Sequence, residues 1–283
     1  MALPVDKLGK KYEERTAALD PERVKAYAAA TNDDNEAYTS GKYAPPVFGV
    51  VPTWEAVMMA AADAIPPEAL MMVVHGEQDM HFHQPLVPGQ TLKTEAENYS
   101  YRVGRSGTRA TVKLTSRDEN GSPVLEQYMT SFIRGMADGE SGGPDKPDHS
   151  FDESVRDQKV AEFTVHVDDD QTYRYRDASG DQMPIHVDAD FAKSVGLPGI
   201  IAHGLCTMAM TSQAVIKSVA DGDPSRLKRL AVRFAKPVFP GNDVVTTIYD
   251  GGVKDGRHIY AFEATSNGDT VIKDGLAEVA EGK

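Results

Sequence analysis

The chain has 283 residues, of which 40% are hydrophobic and 26% charged, which is typical of a folded protein with one large domain or two ordinary ones. Its formal net charge of −13 argues against nucleic acid as a partner, because binding a phosphate backbone requires an excess of Lys and Arg. The single cysteine, Cys206, excludes a disulfide within the chain and favours a reducing compartment. The first residues show no apolar segment of a secretory signal, the last show no peroxisomal Ser-Lys-Leu address, and no apolar run has the length of a membrane span. We therefore expect a cytoplasmic protein.

The first half of the chain predicts one buried helix followed by four strands. The apolar stretch from about 48 to 63 predicts the helix, and alternating patterns predict the strands near 71–83, 91–102, 109–117 and 124–134. Residues 137–150, ADGESGGPDKPDHS, are rich in Gly, Pro, Asp and Ser, which is typical of a linker.

The second half predicts the same plan. An alternating run at 162–167 is followed by helices at about 169–179 and 188–195. The stretch 204–220 is apolar on almost all sides, which is typical of a buried helix. Four strand patterns complete this half: LAVRFA, VVTTIY, HIYAFEAT and a last one near 276–280.

The two halves also align with each other in sequence. HQPLVPGQTL (83–92) matches AKPVFPGNDV (235–244), YAAATNDDNEAY (27–38) matches YRDASGDQMPIH (175–186), and APPVFGVV (44–51) matches LPGIIAHG (197–204). Three blocks in the same order indicate a duplicated domain, with an N-terminal half at 1–136, a linker at 137–150 and a C-terminal half at 151–283. A long helix followed by an antiparallel meander predicts an α+β architecture in which a sheet wraps around a helix.

The stretch YRYRDASGDQMPIHVDADFAKSVGLPGIIAHGLCTM resembles the signature of the MaoC-like, R-specific enoyl-CoA hydratases, also called hydratase 2. The resemblance covers about residues 172–213 as a motif and the whole chain as an architecture. It implies a double hot-dog fold, with two antiparallel sheets each wrapped around a long buried helix. It also implies hydration of trans-2-enoyl-CoA to (R)-3-hydroxyacyl-CoA, or the reverse dehydration, with no cofactor because CoA is part of the substrate.

The motif contains a carboxylate and an imidazole across a short turn. Asp181 follows Gly180 at the end of a predicted helix, Pro184 stiffens the turn, and His186 precedes the next helix, so both side chains could face one water. The resemblance assigns Asp181 and His186 a joint acid/base role in syn addition of water. The alternative is that both are only turn and cap residues, which the ordered Ser-Gly-Asp, Pro-Ile-His and His-Gly segments disfavour.

The start of the long apolar helix is a candidate site for the thioester oxygen. N–H groups in a first helical turn are unpaired and face the positive end of the dipole. The resemblance implies that the Gly204 N–H is the oxyanion donor, while His203 is either a substrate contact or a capping and packing residue. Ser212 lies about two turns further along and is a supporting catalytic candidate. Met183 stands where the family pattern has Asn, and it cannot donate a hydrogen bond, so either Gln182 or another group takes over the role of the Asn or activity is altered. Met183 could also line a wider acyl pocket.

The N-terminal half lacks this machinery. Asp33 aligns with Asp181, but Tyr38 replaces the histidine and Val50–Val51 replace the His-Gly pair. We therefore expect a non-catalytic half that binds the acyl chain, with Trp54 and Met58 on one face of its helix. The alternative for these two side chains is ordinary core packing.

Basic residues of the second half are candidates for contacts with the CoA phosphates, Arg233 and Lys236 first among them, although ordinary surface charge is the alternative. His81 and His83 share a strand face, but no further ligand spacing supports them, so we expect no metal. A homodimer is expected. Two other functions remain open, an acyl-CoA thioesterase and a non-catalytic subunit that binds acyl thioesters.

Overall fold

The computed structural model describes residues 2–282, which form two units whose segments do not follow chain order. The first unit contains the residues up to Ala18, Pro52–Gln84 and Thr91–Asp148. The second contains Leu19–Val51, Pro85–Gln90 and the residues from His149 onward. The second unit therefore includes a segment from the N-terminal half of the chain. The predicted boundary at 137–150 describes the duplication in sequence and stays a prediction.

The first unit is a five-stranded antiparallel sheet with one helix packed on it. The strand order is β1-β3-β4-β5-β2, and helix α3 lies against β3 and β4. Alternate residues of β3 are buried, so the period-2 pattern of the sequence corresponds to one face turned to the core. The elements are β1 (Arg15–Ala18), α3 (Trp54–Ala64), β2 (Val73–Phe82), β3 (Thr91–Gly104), β4 (Gly107–Arg117) and β5 (Pro123–Arg134).

The second unit repeats this arrangement around a longer helix. Its strand order is β7-β10-β9-β8-β6, all antiparallel, and helix α6 packs against this sheet. Every residue of α6 from Leu205 to Ile216 is buried, as its all-round apolar pattern predicts. The elements are α1 (Pro21–Ala30), α2 (Glu36–Thr39), β6 (Lys159–His166), α4 (Gln171–Ser179), α5 (Ala189–Ser194), α6 (Gly204–Val219), β7 (Leu227–Phe234), β8 (Asp243–Lys254), β9 (Arg257–Ser266) and β10 (Asp269–Ala280).

Each unit is thus a sheet against a helix, and the predicted double hot-dog fold is confirmed. The predicted long helix of the first half is wrong in one respect. Residues Pro46–Thr53 form a 3₁₀ helix that contains Pro52, and α3 begins only at Trp54, because proline has no N–H to donate within an α-helix. Helix α3 buries one face through Ala56, Val57, Ala60 and Ala64, whereas Met58 is 47% exposed.

The stretch Pro46–Ala64 is also the one segment among residues 2–282 with the length and apolar composition of a membrane span. Half of its most apolar part is buried inside the folded chain. The expectation of no membrane span stays a prediction.

The segment predicted as a linker is held along β3 by an arginine and by backbone hydrogen bonds. The Arg102 guanidinium donates to the carbonyl oxygens of Gly142 at 2.7 Å, Gly143 at 3.1 Å and Pro144 at 2.9 Å. Gly142 also pairs with Tyr101 through two backbone hydrogen bonds. A Gly- and Pro-rich composition therefore coexists here with a defined path along β3.

Candidate active site

A left-handed glycine ends helix α4 and starts the turn that carries Asp181. Gly180 has φ 81° and its N–H donates to Arg176 O at 2.8 Å, a helix end that an L side chain would strain. The Asp181 N–H then donates to Ser179 Oγ at 3.2 Å, and Asp181 Oδ1 accepts the N–H of Met183 at 3.1 Å. The carboxylate is therefore held by its own turn, half-buried.

His186 is oriented by a short 3₁₀ turn that begins at Pro184. Met183 has an extended conformation and Pro184 occupies the first helical position, as its fixed φ favours. His186 is buried, and its Nδ1 lies 2.8 Å from Ile201 O. Because a carbonyl oxygen can only accept, Nδ1 carries the hydrogen, and Nε2 of the neutral ring keeps a free lone pair.

His203 stacks on His186. The centroids of the two rings are 3.8 Å apart and the ring planes are inclined at 25°. The Tyr175 ring also packs against His203, with a centroid distance of 4.8 Å. His203 Nε2 donates to the backbone oxygen of Asp181 at 3.3 Å, while its Nδ1 is buried without a hydrogen-bond partner within residues 2–282. His203 therefore contacts both members of the predicted catalytic pair.

The structure brings Asp181, His186 and His203 into one cluster. One carboxylate oxygen and one nitrogen of each ring all lie within 4.8 Å of one another. Burial lowers the pKa of His186, an effect that the Ile201 hydrogen bond and the Asp181 charge partly oppose. Burial, together with the neighbouring His186, lowers the pKa of His203 to about 3. Both rings are therefore neutral near pH 7.

This cluster has the ligand types of a metal site, but its ring geometry is unfavourable for one. A metal ion binds in the plane of an imidazole ring, along the nitrogen lone pair. The ring planes of His186 and His203 are inclined at only 25°, and the ring centroids are 3.8 Å apart. An ion bound in the plane of one ring therefore lies outside the plane of the other. The arrangement favours hydrogen bonding to a water or a substrate, and the expectation of no metal stays a prediction.

The N-terminus of α6 lies directly after His203. The N-cap side chain makes no capping hydrogen bond, so the first N–H groups of the helix, beginning with Gly204, keep their donor capacity. A Cβ on Gly204 would lie 3.3 Å from the Phe234 ring, so the glycine allows this ring to pack closely against the start of α6. Ser212, two turns further along, is buried, and its Oγ makes no hydrogen bond within residues 2–282.

The remaining predicted site residues lie in other settings. Met183 is 51% exposed and contributes its backbone N–H to the turn. Arg233 pairs with Asp274 at 2.8 Å, and Lys236 pairs with Asp269. Trp54 and Met58 belong to α3 of the first unit. Their roles with CoA or the acyl chain stay predictions.

Three residues near the turn were not singled out by sequence reasoning. Tyr175 is buried against His203, and its hydroxyl lies 3.1 Å from that of Tyr27 in helix α1. Arg23, also in α1, donates to Ala178 O and Ser179 O at the end of α4. A signal was present for the tyrosines, because Tyr27 and Tyr175 occupy the same position in the aligned blocks 27–38 and 175–186.

Comparison with known proteins finds a family match in each half of the chain. A family model for the MaoC like domain matches residues 151–271, and one for the MFE-2 hydratase 2 N-terminal domain matches residues 36–135. The "Probable enoyl-CoA hydratase 2" of Dictyostelium discoideum is 30% identical over 73% of this chain and 70% of its own length. The "3-hydroxyacyl-thioester dehydratase Y" of Mycobacterium tuberculosis is 32% identical over 82% of each chain.

A solved structure supports the same assignment. The MaoC-like dehydratase from Phytophthora capsici has a TM-score of 0.88 and 28% identity, covering 98% of both chains. The match therefore extends over both units in sequence order. The sequence relatives and the two family models together show that this chain belongs to the MaoC-like dehydratase family of hydro-lyases, with an N-terminal domain of the hydratase 2 type.

Proposed function

We propose that the chain hydrates trans-2-enoyl-CoA to (R)-3-hydroxyacyl-CoA, or catalyses the reverse dehydration, with Asp181 and His186 transferring the protons. The observation that carries the proposal is the orientation of His186. Its Nδ1–H is bound to Ile201 O, which leaves Nε2 as the base, and an Asp181 oxygen belongs to the same 4.8 Å cluster. Relatives named for enoyl-CoA hydration and for thioester dehydration support the substrate class.

In the proposed hydration step, a water lies between His186 Nε2 and the Asp181 carboxylate. His186 accepts one water proton while the water oxygen bonds to C3, and the C2=C3 π electrons move to the thioester oxygen. The electrons then move back from the thioester oxygen, and C2 takes the proton held by Asp181 and His186. Water has then been added across the double bond. Because the same pair handles both ends of the water, both additions occur on one face of the substrate, which is syn addition.

The thioester oxygen carries negative charge between these two events. In the proposal it lies at the N-terminus of α6, where the Gly204 N–H donates a hydrogen bond and the helix dipole adds a positive potential. The absence of a side-chain cap at His203 supports this placement. Cofactor independence, a homodimer and a cytoplasmic location remain predictions that accompany this proposal.

The first experiment separates hydration from hydrolysis. With crotonyl-CoA and longer enoyl-CoAs, we expect loss of the enoyl-thioester absorbance without release of free thiol, and chiral analysis should find the (R)-3-hydroxyacyl product. Stoichiometric thiol release would instead identify an acyl-CoA thioesterase. Binding of the enoyl-CoA without turnover would identify a non-catalytic acyl-thioester-binding protein.

The second experiment tests the pair. Asp181→Asn and His186→Ala are each expected to lower kcat by at least about 100-fold, as for loss of a general acid/base group. The double variant should lose much less than the product of the two single losses, because both groups act on one water. Asp250→Asn and His258→Ala are matched controls, since these residues form a surface Asp–His pair at 2.7 Å. Near-normal turnover in either site variant would exclude that residue from the mechanism.

A further inference from the structure

Helices α1 and α4 are structural counterparts within the second unit. A left-handed residue follows each helix, Asn32 with φ 55° two residues after α1 and Gly180 with φ 81° directly after α4, and each of these is followed by an aspartate. Their buried tyrosines, Tyr27 and Tyr175, are 148 residues apart, which is the offset of the aligned sequence blocks, and their hydroxyls are 3.1 Å apart. The two helices are therefore packed against each other and related by an approximate two-fold axis.

The contacts between the helices are reciprocal. The Arg23 Nε donates to Ala178 O at 2.8 Å near the end of α4. At the offset of the repeat, Gln171 is the counterpart of Arg23 and Ala30 that of Ala178, and the Gln171 amide donates to Ala30 O. Each helix thus uses a side chain near its start to bind a carbonyl near the end of the other.

The Arg23 and Gln171 contacts differ in the charge of the donor and in the number of carbonyls bound. Arg23 also donates through Nη2 to Ser179 O at 2.6 Å, so one guanidinium binds two consecutive carbonyls. The last carbonyls of a helix lack intrahelical partners and form its negative end, which a planar, charged donor suits well. At the α1 end, which precedes Asp33 and has no counterpart of His186, the Gln171 amide binds Ala30 O, and a different residue, Arg174, donates to Ala29 O at 3.0 Å.

The carbonyls that Arg23 binds are adjacent to the proposed catalytic turn. Ser179 supplies both the Nη2 acceptor and the Oγ that accepts the Asp181 N–H. The Arg23 Nη2 also lies 2.7 Å from the point where a Cβ of Gly180 would stand, so the guanidinium covers the turn. Loss of this group would remove one restraint on the Ser179–Gly180 peptide, which directly precedes Asp181, and leave the bond from the Gly180 N–H to Arg176 O.

We propose that Arg23 is a positioning residue for Asp181, and this inference rests on the proposed hydratase function. Arg23 touches no reacting atom in the proposal; it acts through Ser179 and Gly180. A segment of the non-catalytic N-terminal half thereby holds the geometry of the catalytic pair.

The test compares Arg23 variants with crotonyl-CoA as substrate. Arg23→Ala is expected to lower kcat by about 10-fold or more with KM changed less than about twofold, because a small misplacement of a catalytic group is costly. Arg23→Gln, which installs the residue of the counterpart position, should resemble Arg23→Ala, and Arg23→Lys should recover part of the loss. Guanidinium ion, far below denaturing concentration, should restore kcat of Arg23→Ala but not of Arg23→Gln, whose side chain fills the space.

Arg226→Ala is the matched control, because the Arg226 Nε also donates to a backbone oxygen, Ala280 O at 3.0 Å. It should leave kcat unchanged. An activity-independent readout is the imidazole NMR resonances of His186, assigned with His186→Ala, which should move in Arg23→Ala and not in Arg226→Ala. Unchanged kcat and resonances in Arg23→Ala would overturn the proposal, and so would a loss of kcat that guanidinium and lysine do not recover. Wild-type protein without hydratase activity would instead defeat the proposed function, whatever the resonances show.

Discussion

At the scale of single residues, Asp181 is restrained by hydrogen bonds from its own turn. Its Oδ1 accepts the Met183 N–H at 3.1 Å, which restrains the orientation of the carboxylate. Met183 contributes only backbone to this turn, and its side chain is 51% exposed. Position 183 can therefore change its side chain without altering the packed interior.

Met183→Asn is expected to raise kcat/KM for crotonyl-CoA about fivefold. An amide at this position can donate one hydrogen bond that Met cannot, and a typical net hydrogen bond contributes about 1 kcal/mol. Met183→Leu, which has no donor, should stay within about twofold of the wild type. Steady-state kinetics of the two variants decide the question. Equal activities of the Asn and Leu variants would show that position 183 lacks no functional donor.

At the scale of elements, a backbone substitution can test whether the N-terminus of α6 supplies the proposed oxyanion donor. Gly204→Pro removes the N–H, and proline suits the first helical position. His203 has φ −61° and ψ 137°, which a following proline tolerates. We expect kcat to fall about 100-fold or more, as for loss of an oxyanion donor.

Gly204→Ala is the control for this substitution. It keeps the N–H and adds the same Cβ, which lies 3.3 Å from the Phe234 ring. Circular dichroism and the melting temperature should show a folded helix in both variants, and kcat of Gly204→Ala should exceed that of Gly204→Pro by at least about 10-fold. Equal losses would assign the effect to crowding at Phe234 and exclude the Gly204 N–H as the donor.

Helix α3 separates its packing face from the face predicted to bind the acyl chain. Its small residues are buried, whereas Met58 is half-exposed and Trp54 half-buried. Met58→Ala and Met58→Trp are expected to change the ratio of long-chain to crotonyl-CoA kcat/KM, at about 1–3 kcal/mol for each methylene-scale misfit. Crotonyl-CoA turnover and the melting temperature should stay nearly constant.

Met71→Ala is the matched control for Met58, because Met71 is a 70% exposed methionine of the same unit with no predicted role. It should change neither substrate. Parallel losses with both substrates in Met58→Ala, together with a lower melting temperature, would assign Met58 to packing and not to the acyl chain.

At the scale of the whole molecule, buried neutral histidines link stability to pH. Burial lowers the pKa of His75 in the first unit to about 4 and that of His203 in the second to about 3, and it lowers the pKa of His186 as well. The unfolded chain takes up these protons below about pH 6.5, whereas the folded chain does not. The free energy of unfolding should therefore fall as the pH falls from about 6.5 toward 4.

The slope of the free energy of unfolding against pH measures the size of this effect. Each such histidine contributes at most about 1.4 kcal/mol per pH unit in that window. Urea unfolding at pH 7, 6 and 5 should show the decline, and His203→Asn should show a shallower one, because it removes one of these groups. A wild-type free energy of unfolding that is constant from pH 7 to 5 would contradict the neutral, buried state of these rings.

Local patterns in the sequence were sufficient to predict most of the elements. The strands other than β1, helix α4 and helix α6 overlap their predicted ranges, because period-2 and helical periodicity depend on neighbours a few residues away. No strand was predicted at β1, Arg15–Ala18. The prediction was wrong between 48 and 53, where the apolar pattern resembled a helix but Pro52 prevents α-helical hydrogen bonding. The proximity of Asp181 and His186 was also predictable, because a five-residue turn brings them together.

The sequence by itself therefore showed the aligned blocks of the two halves, the Asp181–His186 motif and the buried helix that follows it, and its resemblance to a family implied the double hot-dog fold. Only the tertiary structure decided which groups surround the turn. The stacking of His203 on His186, the Tyr27–Tyr175 contact across 148 residues and the Arg23 contacts with Ala178 and Ser179 depend on how distant segments fold together. The physical reason is that side-chain burial, ring stacking and helix-end hydrogen bonds are fixed by packing between segments far apart in sequence, which no local periodicity encodes.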